Sequence, residues 1–148
     1  MKRIPFYIVL LILTFLAPVR RVEIEHLEPV EAVFAVRNGN QITLTTDTGA
    51  SGSGDDVAQA LIDLEETTPG IVFLDTARYL LLSTDAQEDV LQLRHHLKGS
   101  VRLCMFEGKQ DPEKAVRHLE VFGKLPQIKD WNPADSLPIL TEEKIIEK

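Results

Sequence analysis

The sequence predicts an α/β fold of the α+β kind, with helices packed on a single mixed β-sheet. Its 148 residues are the usual length of one domain, and 44% hydrophobic content is ordinary for a globular protein. Strand-like and helix-like segments follow the order β-β-α-β-α-β-α, which packs as a sheet covered by helices. We expect this domain at residues 22–123, after a signal anchor or uncleaved signal peptide at 1–21. A proline-punctuated C-terminal extension is expected at 124–148.

The first two strands are predicted to form a hairpin. Residues 31–37 are rich in strand formers, and residues 41–46 alternate apolar and polar residues with the period of a strand. Asn38 and Gly39 lie between them, and an Asn-Gly pair readily takes the positive φ of a tight turn. Residues 47–54 contain three glycines and are expected to form a loop that adds no side chain to the core.

Two helices are predicted from their caps. Asp55 or Asp56 precedes apolar residues at 57, 60, 61 and 64, which share one face of a helix that ends before Pro69. Asp111 and Pro112 open the other helix, because proline at the first helical position gives up no hydrogen bond.

Strands and one further helix are predicted between these two helices. Residues 71–74 and 79–82 are expected to be strands buried on both faces, and residues 101–106 a third strand. Thr84 to Gln87 has the form of a capping box, which indicates that a helix begins there. That helix carries apolar residues at 90, 91, 93 and 97 and ends at Gly99.

The N-terminal residues have the pattern of a membrane anchor. Lys2 and Arg3 precede fourteen residues without a charge, from Ile4 to Ala17. A helix over residues 4–19 would reach about 24 Å, so its basic flanks would have to extend to the headgroups. We expect residues 4–19 to hold the protein in the lipid bilayer as a single-pass anchor with an extracytoplasmic body. A buried N-terminal helix in a soluble α/β interaction domain is the alternative.

The charge distribution excludes a nucleic-acid-binding protein. All 23 acidic residues lie within residues 22–148, together with 12 basic ones, which leaves this part with a net charge of −11. A nucleic-acid binder needs clustered lysine and arginine to displace counterions from phosphate. The acidic body would instead repel phosphate.

Asp47 is the one candidate for a catalytic residue. Asp47, Thr48 and Gly49 resemble the catalytic turn of retropepsin-type aspartic proteases, which pair two such turns in a homodimer. Two carboxylates that share a proton activate water in those enzymes. The family continues in strands and has a glycine-rich flap, whereas residues 57–66 here are predicted to be helical and no flap is visible. A helix at residues 55–66 would therefore argue against the protease.

The other reactive residue types do not form a site in the sequence. Cys104 lies in an apolar strand without a nearby histidine, which is typical of a buried structural cysteine. His95 and His96 are adjacent and point about 100° apart on a helix, so they do not face one metal ion. Gly52 and Gly54 precede a helix but lack the lysine of a phosphate-binding loop. The sequence therefore predicts no catalytic residue other than this alternative Asp47, no bound metal and no cofactor.

Several segments occur in the order found in one known family. Residues 20–27 contain an arginine pair, Glu-Ile and Leu, and residues 52–61 contain a small glycine loop followed by Ala-Leu. Residues 72–83 and the proline-containing residues 132–140 follow in matching places. This series resembles the N-terminal domain of the Ger(x)C family, the C subunits of spore nutrient germinant receptors. These 148 residues do not include the family's lipidated cysteine, Trp-Asp pair or two further domains, and Asp75-Thr76 stand where the family has Gly-His.

The resemblance implies a non-enzymatic protein of spore germination or the spore envelope. Such a protein would be anchored in the cell membrane, the spore inner membrane being one such place, and would act through contacts with other germinant receptor subunits or envelope proteins. The retropepsin-like homodimer and the soluble interaction domain remain the two alternatives.

Overall fold

The central element of the protein is a seven-stranded mixed sheet in the strand order β4-β3-β2-β6-β7-β8-β9. The computed structural model describes residues 27–141 and 145–146, with side chains for residues 29–141. The strands of this sheet are β2 (Ala32–Asn38), β3 (Gln41–Thr46), β4 (Ser51–Gly54), β6 (Tyr79–Leu82), β7 (Arg102–Phe106), β8 (Ile139–Leu140) and β9 (Ile145–Ile146). A separate parallel pair joins β1 (Leu27–Pro29) to β5 (Ile71–Phe73). The predicted mixed sheet with helices is therefore present, and the predicted signal anchor lies outside the described residues.

Helices cover both faces of the sheet. The described helices are α1 (Val57–Thr67), the short α2 (Val90–Leu93) and α3 (Pro112–Phe122), with 3₁₀ turns at Leu74–Thr76 and Thr84–Asp89. In the part of the chain that the structure describes, no helix combines the length and the apolar character needed to cross a bilayer.

The predicted hairpin is confirmed. Strands β2 and β3 pair antiparallel from Val33 opposite Thr46 to Asn38 opposite Gln41. Two residues connect them, and the first, Gly39, has a φ of +60°, which is the place glycine takes in a tight hairpin turn.

Two side-chain layers lie on opposite sides of the sheet. Alternation along the strands directs Ile42, Leu44, Leu80 and Leu103 toward α1 and α2, on what we call the first face. The second face carries the alternate residues, which pack under α3: Ala32, Phe34, Tyr79, Leu81, Cys104 and Leu140. Strands β6 and β7 are buried on both sides, as the uninterrupted apolar run in β6 requires.

The helices α1 and α3 begin as the sequence predicts. Asp56 caps α1 by accepting from the Gln59 N–H at 2.8 Å. Asp111 caps α3, with Pro112 at the first helical position, and accepts from the Glu113 N–H at 3.1 Å.

Residues 51–54 correct the expectation of a loop without a role in the core. They form the edge strand β4, paired with β3 from Thr45 opposite Ser51 to Ile42 opposite Gly54. A Cβ atom at Gly52 would come well within 3.0 Å of the backbone of Ala60 and Leu64 in α1. The glycines therefore permit backbone-to-backbone packing of helix and strand.

Strand β5 corrects a second expectation, because it is not buried on both faces. It leaves the seven-stranded sheet and pairs with β1, and the side chains of Ile71 and Phe73 are 50% and 41% exposed. Only the alternate residue, Val72, packs against the core.

The predicted capping box at Thr84 to Gln87 does not form. The residue preceding the 3₁₀ turn is Ser83, whose side chain makes no capping bond. Its hydroxyl instead accepts from the backbone N–H of Arg37 at 3.2 Å. The same arginine forms a two-pronged ion pair with buried Asp89, at 2.6 and 2.7 Å, which ties this turn to the end of β2. The hydrogen bond to Asp89 raises the pKa of Arg37.

The sheet continues past residue 123, where the sequence predicts the domain to end. Leu125, Ile128 and Trp131 are buried in the core, and Ile139 and Leu140 form β8 beside β7. The C-terminal segment therefore belongs to the same fold through at least Leu140.

Candidate functional site

The carboxylate of Asp47, the predicted catalytic candidate, accepts hydrogen bonds from the backbone. Its Oδ1 accepts from the N–H groups of Glu31 and Ala32 at 3.1 and 3.2 Å. The Asp47 N–H donates in turn to the Ala32 carbonyl at 3.0 Å. Asp47 thus holds the end of β3 to the start of β2 through charge-assisted hydrogen bonds.

The turn that follows Asp47 is closed by Thr46. This residue is fully buried, and its Oγ1 lies 2.8 Å from Oγ1 of Thr48 and accepts from the Ala50 N–H at 3.1 Å. The Thr46 N–H donates to the Ala50 carbonyl at 2.8 Å. The Asp-Thr-Gly-Ala sequence therefore has a complete structural explanation as the turn between β3 and β4.

Two of the carboxylates beside Asp47 are paired with arginines. A shallow cavity of about 400 Å³ here is lined by Glu31, Asp47, Glu113, Val116, Arg117 and Glu120. Glu113 pairs with Arg117 at 2.5 Å, and Glu120 pairs with Arg78 at 3.0 Å. The hydrogen bond to Glu120 raises the pKa of Arg78. A protease dyad instead needs two carboxylates that share one proton.

The segment after the Asp47 turn is helical over Val57–Thr67, where retropepsin-type proteases continue in strands. This helix is the feature that separates the protease alternative from a binding protein, and it counts against the protease.

The Gly-x-Gly sequence at residues 52–54 does not form a phosphate cradle. Gly52 and Gly54 face α1, and the Ser53 N–H, which could otherwise bind an anion, donates to the Asp63 carboxylate at 2.7 Å. The Asp63 carboxylate therefore takes up the N–H group that an anion would need.

Cys104 is enclosed in the second face of the sheet. Burial raises the pKa of its thiol to about 12, and its Sγ lies 3.3 Å from the carbonyls of Met105 and Pro138. A protonated, enclosed thiol does not act as a nucleophile at neutral pH.

The histidines do not converge on a metal site. His95 and His96 are exposed beyond α2, His118 is exposed on α3, and His26 lies outside the described residues. Among the residues whose side chains are described, no group of three His, Cys, Asp or Glu is placed to hold a metal ion.

An apolar groove lies between α1 and β5, and sequence reasoning missed it. It has a volume of about 490 Å³ and is lined by Ala58, Leu61, Ile62, Glu65, Val72, Phe73, Leu74, Asp75 and His96. Ile62 is 56% exposed and Phe73 41% exposed. Ile71, half exposed, points to the same side of β5 as Phe73. We call this surface the α1–β5 groove.

The signal for the α1–β5 groove is present in the sequence but faint. Ala58, Leu61, Ile62 and Glu65 have the i, i+3, i+4, i+7 spacing of a second helical stripe, next to the buried stripe of Val57, Ala60 and Leu64. A helix with apolar residues on two adjacent stripes has more apolar surface than its own sheet covers.

Charge is divided unequally along the sheet. Residues 29–90, which form β2, β3, β4, α1, β5 and β6, contain eleven acidic and two basic residues. Both basic residues, Arg37 and Arg78, are in ion pairs. Residues 91–141 contain six acidic and eight basic residues. Apart from His96, the residues that line the α1–β5 groove therefore lie in the acidic part of the domain.

Comparison with protein-family models, with curated proteins and with solved structures finds no match to the chain.

Proposed function

We propose that this chain is a non-enzymatic protein held at the cell membrane, with its body on the extracytoplasmic side, that acts by contact with other proteins in spore germination or the spore envelope. The proposal rests on the resemblance of residues 20–140 to the N-terminal domain of germinant receptor C subunits and on the apolar segment at residues 4–19. Its partners are the bilayer and other receptor subunits or envelope proteins.

The observation that carries the contact role is the α1–β5 groove. Ile62 and Phe73 present large apolar side chains to solvent in the same concave surface, on a domain whose remaining apolar residues are mostly buried. A partner protein that packed into this concave surface would remove these apolar side chains from water, which favours association.

The membrane part of the proposal is tested by fractionation. The full chain is expected to stay with the membrane pellet after carbonate extraction and to be digested by protease added from the extracytoplasmic side. Deletion of residues 4–19 should release it. Recovery of the full chain in the soluble fraction would remove the anchor from the proposal.

The germination part is tested in spores. The tagged full chain is expected to co-purify with A- and B-type receptor subunits, and its deletion is expected to slow the response to nutrient germinants. Normal germination in the deletion strain, without co-purification, would contradict the assignment.

The protease alternative is tested by replacing Asp47. Purified protein is expected to leave casein intact, so wild type and Asp47→Asn should both show background cleavage. Cleavage by the wild type that Asp47→Asn abolishes would establish the protease and overturn the non-enzymatic proposal.

A further inference from the structure

We propose that the α1–β5 groove binds an amphipathic helix of a partner protein, one whose apolar stripe is flanked by lysine or arginine. This inference rests on the contact role proposed above and adds the surface and the chemistry of the partner.

The shape and lining of the α1–β5 groove favour a helix. One wall is the α1 stripe of Ala58, Leu61 and Ile62, and the other is β5, where Phe73 projects. A groove with apolar walls receives side chains at i, i+3, i+4 and i+7 of a docked helix. The volume of about 490 Å³ accommodates a few such side chains without displacing the core.

The acidic residues around the α1–β5 groove favour a partner helix whose apolar stripe is flanked by basic residues. Glu65 at the end of one wall and Asp75 at the end of the other line the groove directly, and His96 is the one other titratable residue in its lining. The only basic residues in residues 29–90, Arg37 and Arg78, are already paired with Asp89 and Glu120. Positive charge beside the apolar stripe of a partner would meet complementary charge and accelerate association.

The same charges disfavour the other occupants of an apolar surface. Anionic lipid headgroups would be repelled by Glu65 and Asp75, and a second copy of this chain would bring a matching acidic rim against its own. A basic amphipathic helix is the occupant whose apolar and charged parts both fit.

The test uses the full chain in phosphatidylcholine nanodiscs and a labelled leucine–lysine peptide of about 14 residues with helical apolar spacing. Binding is followed by fluorescence anisotropy, with the signal from empty nanodiscs subtracted. We expect saturable binding that weakens as salt is raised. A photoreactive group on the apolar face of the peptide should cross-link to residues 58–75 or to His96, which also lines the groove.

Substitutions in the groove are compared with one outside it. Ile62→Ser and Phe73→Ser should each weaken peptide binding about tenfold, the effect expected for an apolar contact at the centre of an interface. Val121→Ser removes an apolar side chain that is 89% exposed on α3, and it should change binding less than about twofold.

The role of charge is measured separately. The double variant Glu65→Gln and Asp75→Asn should weaken binding about threefold and flatten its dependence on salt. A leucine–glutamate peptide with the same apolar spacing should bind at least about tenfold less well than the leucine–lysine peptide.

Several results would overturn the inference. These are absent binding, equal binding of the two peptides, cross-links to residues other than 58–75 and His96, or equal loss of peptide binding in Val121→Ser and Ile62→Ser. Dimerisation of the wild type that Ile62→Ser abolishes would assign the groove to a second copy. Extra adhesion to phosphatidylglycerol vesicles that Ile62→Ser abolishes would assign it to lipid.

Failure here is distinguishable from failure of the proposed function. If the Ile62→Ser variant still fractionates with membranes and co-purifies with receptor subunits, the proposed function stands and the inference about the groove is wrong. If the protein binds the peptide at the groove but plays no part in germination, the inference about the groove stands and the proposed function is wrong.

Discussion

The two faces of the sheet are covered in different ways. On the first face, α1 lies so close to β4 that the backbones of Gly52 and Ala60 are in contact range. On the second face, α3 is held off the strands by a layer of side chains that includes Phe34, Tyr79 and Leu119. The close contact between α1 and β4 is possible only because Gly52 has no side chain. The wider space between α3 and the strands must instead be filled by side chains.

This difference teaches that composition alone is a poor guide to rigidity. A Ser-Gly-Ser-Gly segment suggests a mobile connection, but here it forms the edge strand of the sheet. Hydrogen bonds with side chains of α1 hold it in place. The Asp63 carboxylate accepts from the Ser53 N–H at 2.7 Å, and the Thr67 hydroxyl donates to the Ser51 carbonyl at 2.9 Å. These bonds also block the exposed edge that would otherwise invite another strand.

The largest effect is expected where the backbones meet. Gly52→Val should destabilise the protein by more than about 4 kcal/mol or prevent folding, because its Cβ overlaps the backbone of α1, which has no free rotamer to yield. The measurement is urea unfolding followed by the fluorescence of Trp131, the single tryptophan.

Ser53→Ala is the control on the same strand, since its side chain points away from α1. It should cost less than about 1 kcal/mol. Similar losses in the two variants would show that β4 is sensitive throughout rather than at the contact with α1.

On the second face, removing side-chain volume should lower the free energy of unfolding without preventing folding. Leu119→Ala removes a fully buried side chain of α3 and should lower the free energy of unfolding by about 3 kcal/mol. Val121→Ala, on the exposed side of the same helix, should stay within about 0.5 kcal/mol of the wild type. A Leu119→Ala protein as stable as wild type would mean that α3 contributes little to the core.

Alkaline pH should lower the free energy of unfolding because the buried thiol of Cys104, on the second face, resists ionisation. The pKa of its thiol is raised from 9.0 to about 12 in the folded protein, so the unfolded chain loses its proton first as pH rises. This contribution to stability is complete below pH 9 and is lost progressively between pH 9 and pH 12.

Between pH 8.5 and 10, wild type should lose about 1 kcal/mol more than Cys104→Ala, measured by urea unfolding at each pH. Comparison with Cys104→Ala removes the titration of lysine and tyrosine, which both proteins share. Parallel pH profiles, or rapid labelling of the native thiol at pH 8, would contradict an enclosed Cys104.

The smallest expected difference compares the two helix caps. Asp56→Ala and Asp111→Ala each remove the side-chain acceptor at the start of a helix and should cost about 1 kcal/mol. Asp111 accepts from two N–H groups and Asp56 from one, so the α3 cap should be the more sensitive. Urea midpoints of the two variants test this order, and a reversed order would show that geometry rather than bond number decides.

Local signals in the sequence predict much of the fold. The hairpin follows from period-two alternation and Gly39, and α1 and α3 follow from Asp56, Asp111 and their apolar spacing. Each of these signals lies within a few residues of the structure it specifies. The uninterrupted apolar residues of β6 and β7 likewise require a sheet covered on both sides.

The parts that sequence reasoning misses depend on distant partners. Strand β4 exists because α1 packs over Gly52, and β8 exists because Ile139 lies beside Met105, more than thirty residues earlier. Strand β5 pairs with β1, about forty residues before it, instead of entering the main sheet. No pattern inside these short segments specifies the partner.

The candidate site shows the same division. The Asp-Thr-Gly motif draws attention to Asp47, but the role of its carboxylate depends on the N–H groups of Glu31 and Ala32. The α1–β5 groove requires knowledge of which apolar residues stay uncovered after folding, and this is settled only when β5 turns away from the sheet.

The pairing of β1 with β5 has a mechanical consequence. Strand β1 precedes Val30, whose N–H and carbonyl are both bonded to the Thr76 hydroxyl at 2.9 Å. Tension applied to the chain ahead of Leu27 would load the parallel β1–β5 bonds in shear before reaching Thr76 or the seven-stranded sheet. Since Phe73 belongs to β5, a pull on the leading chain would distort the groove wall first, and occupancy of the groove would in turn resist that pull.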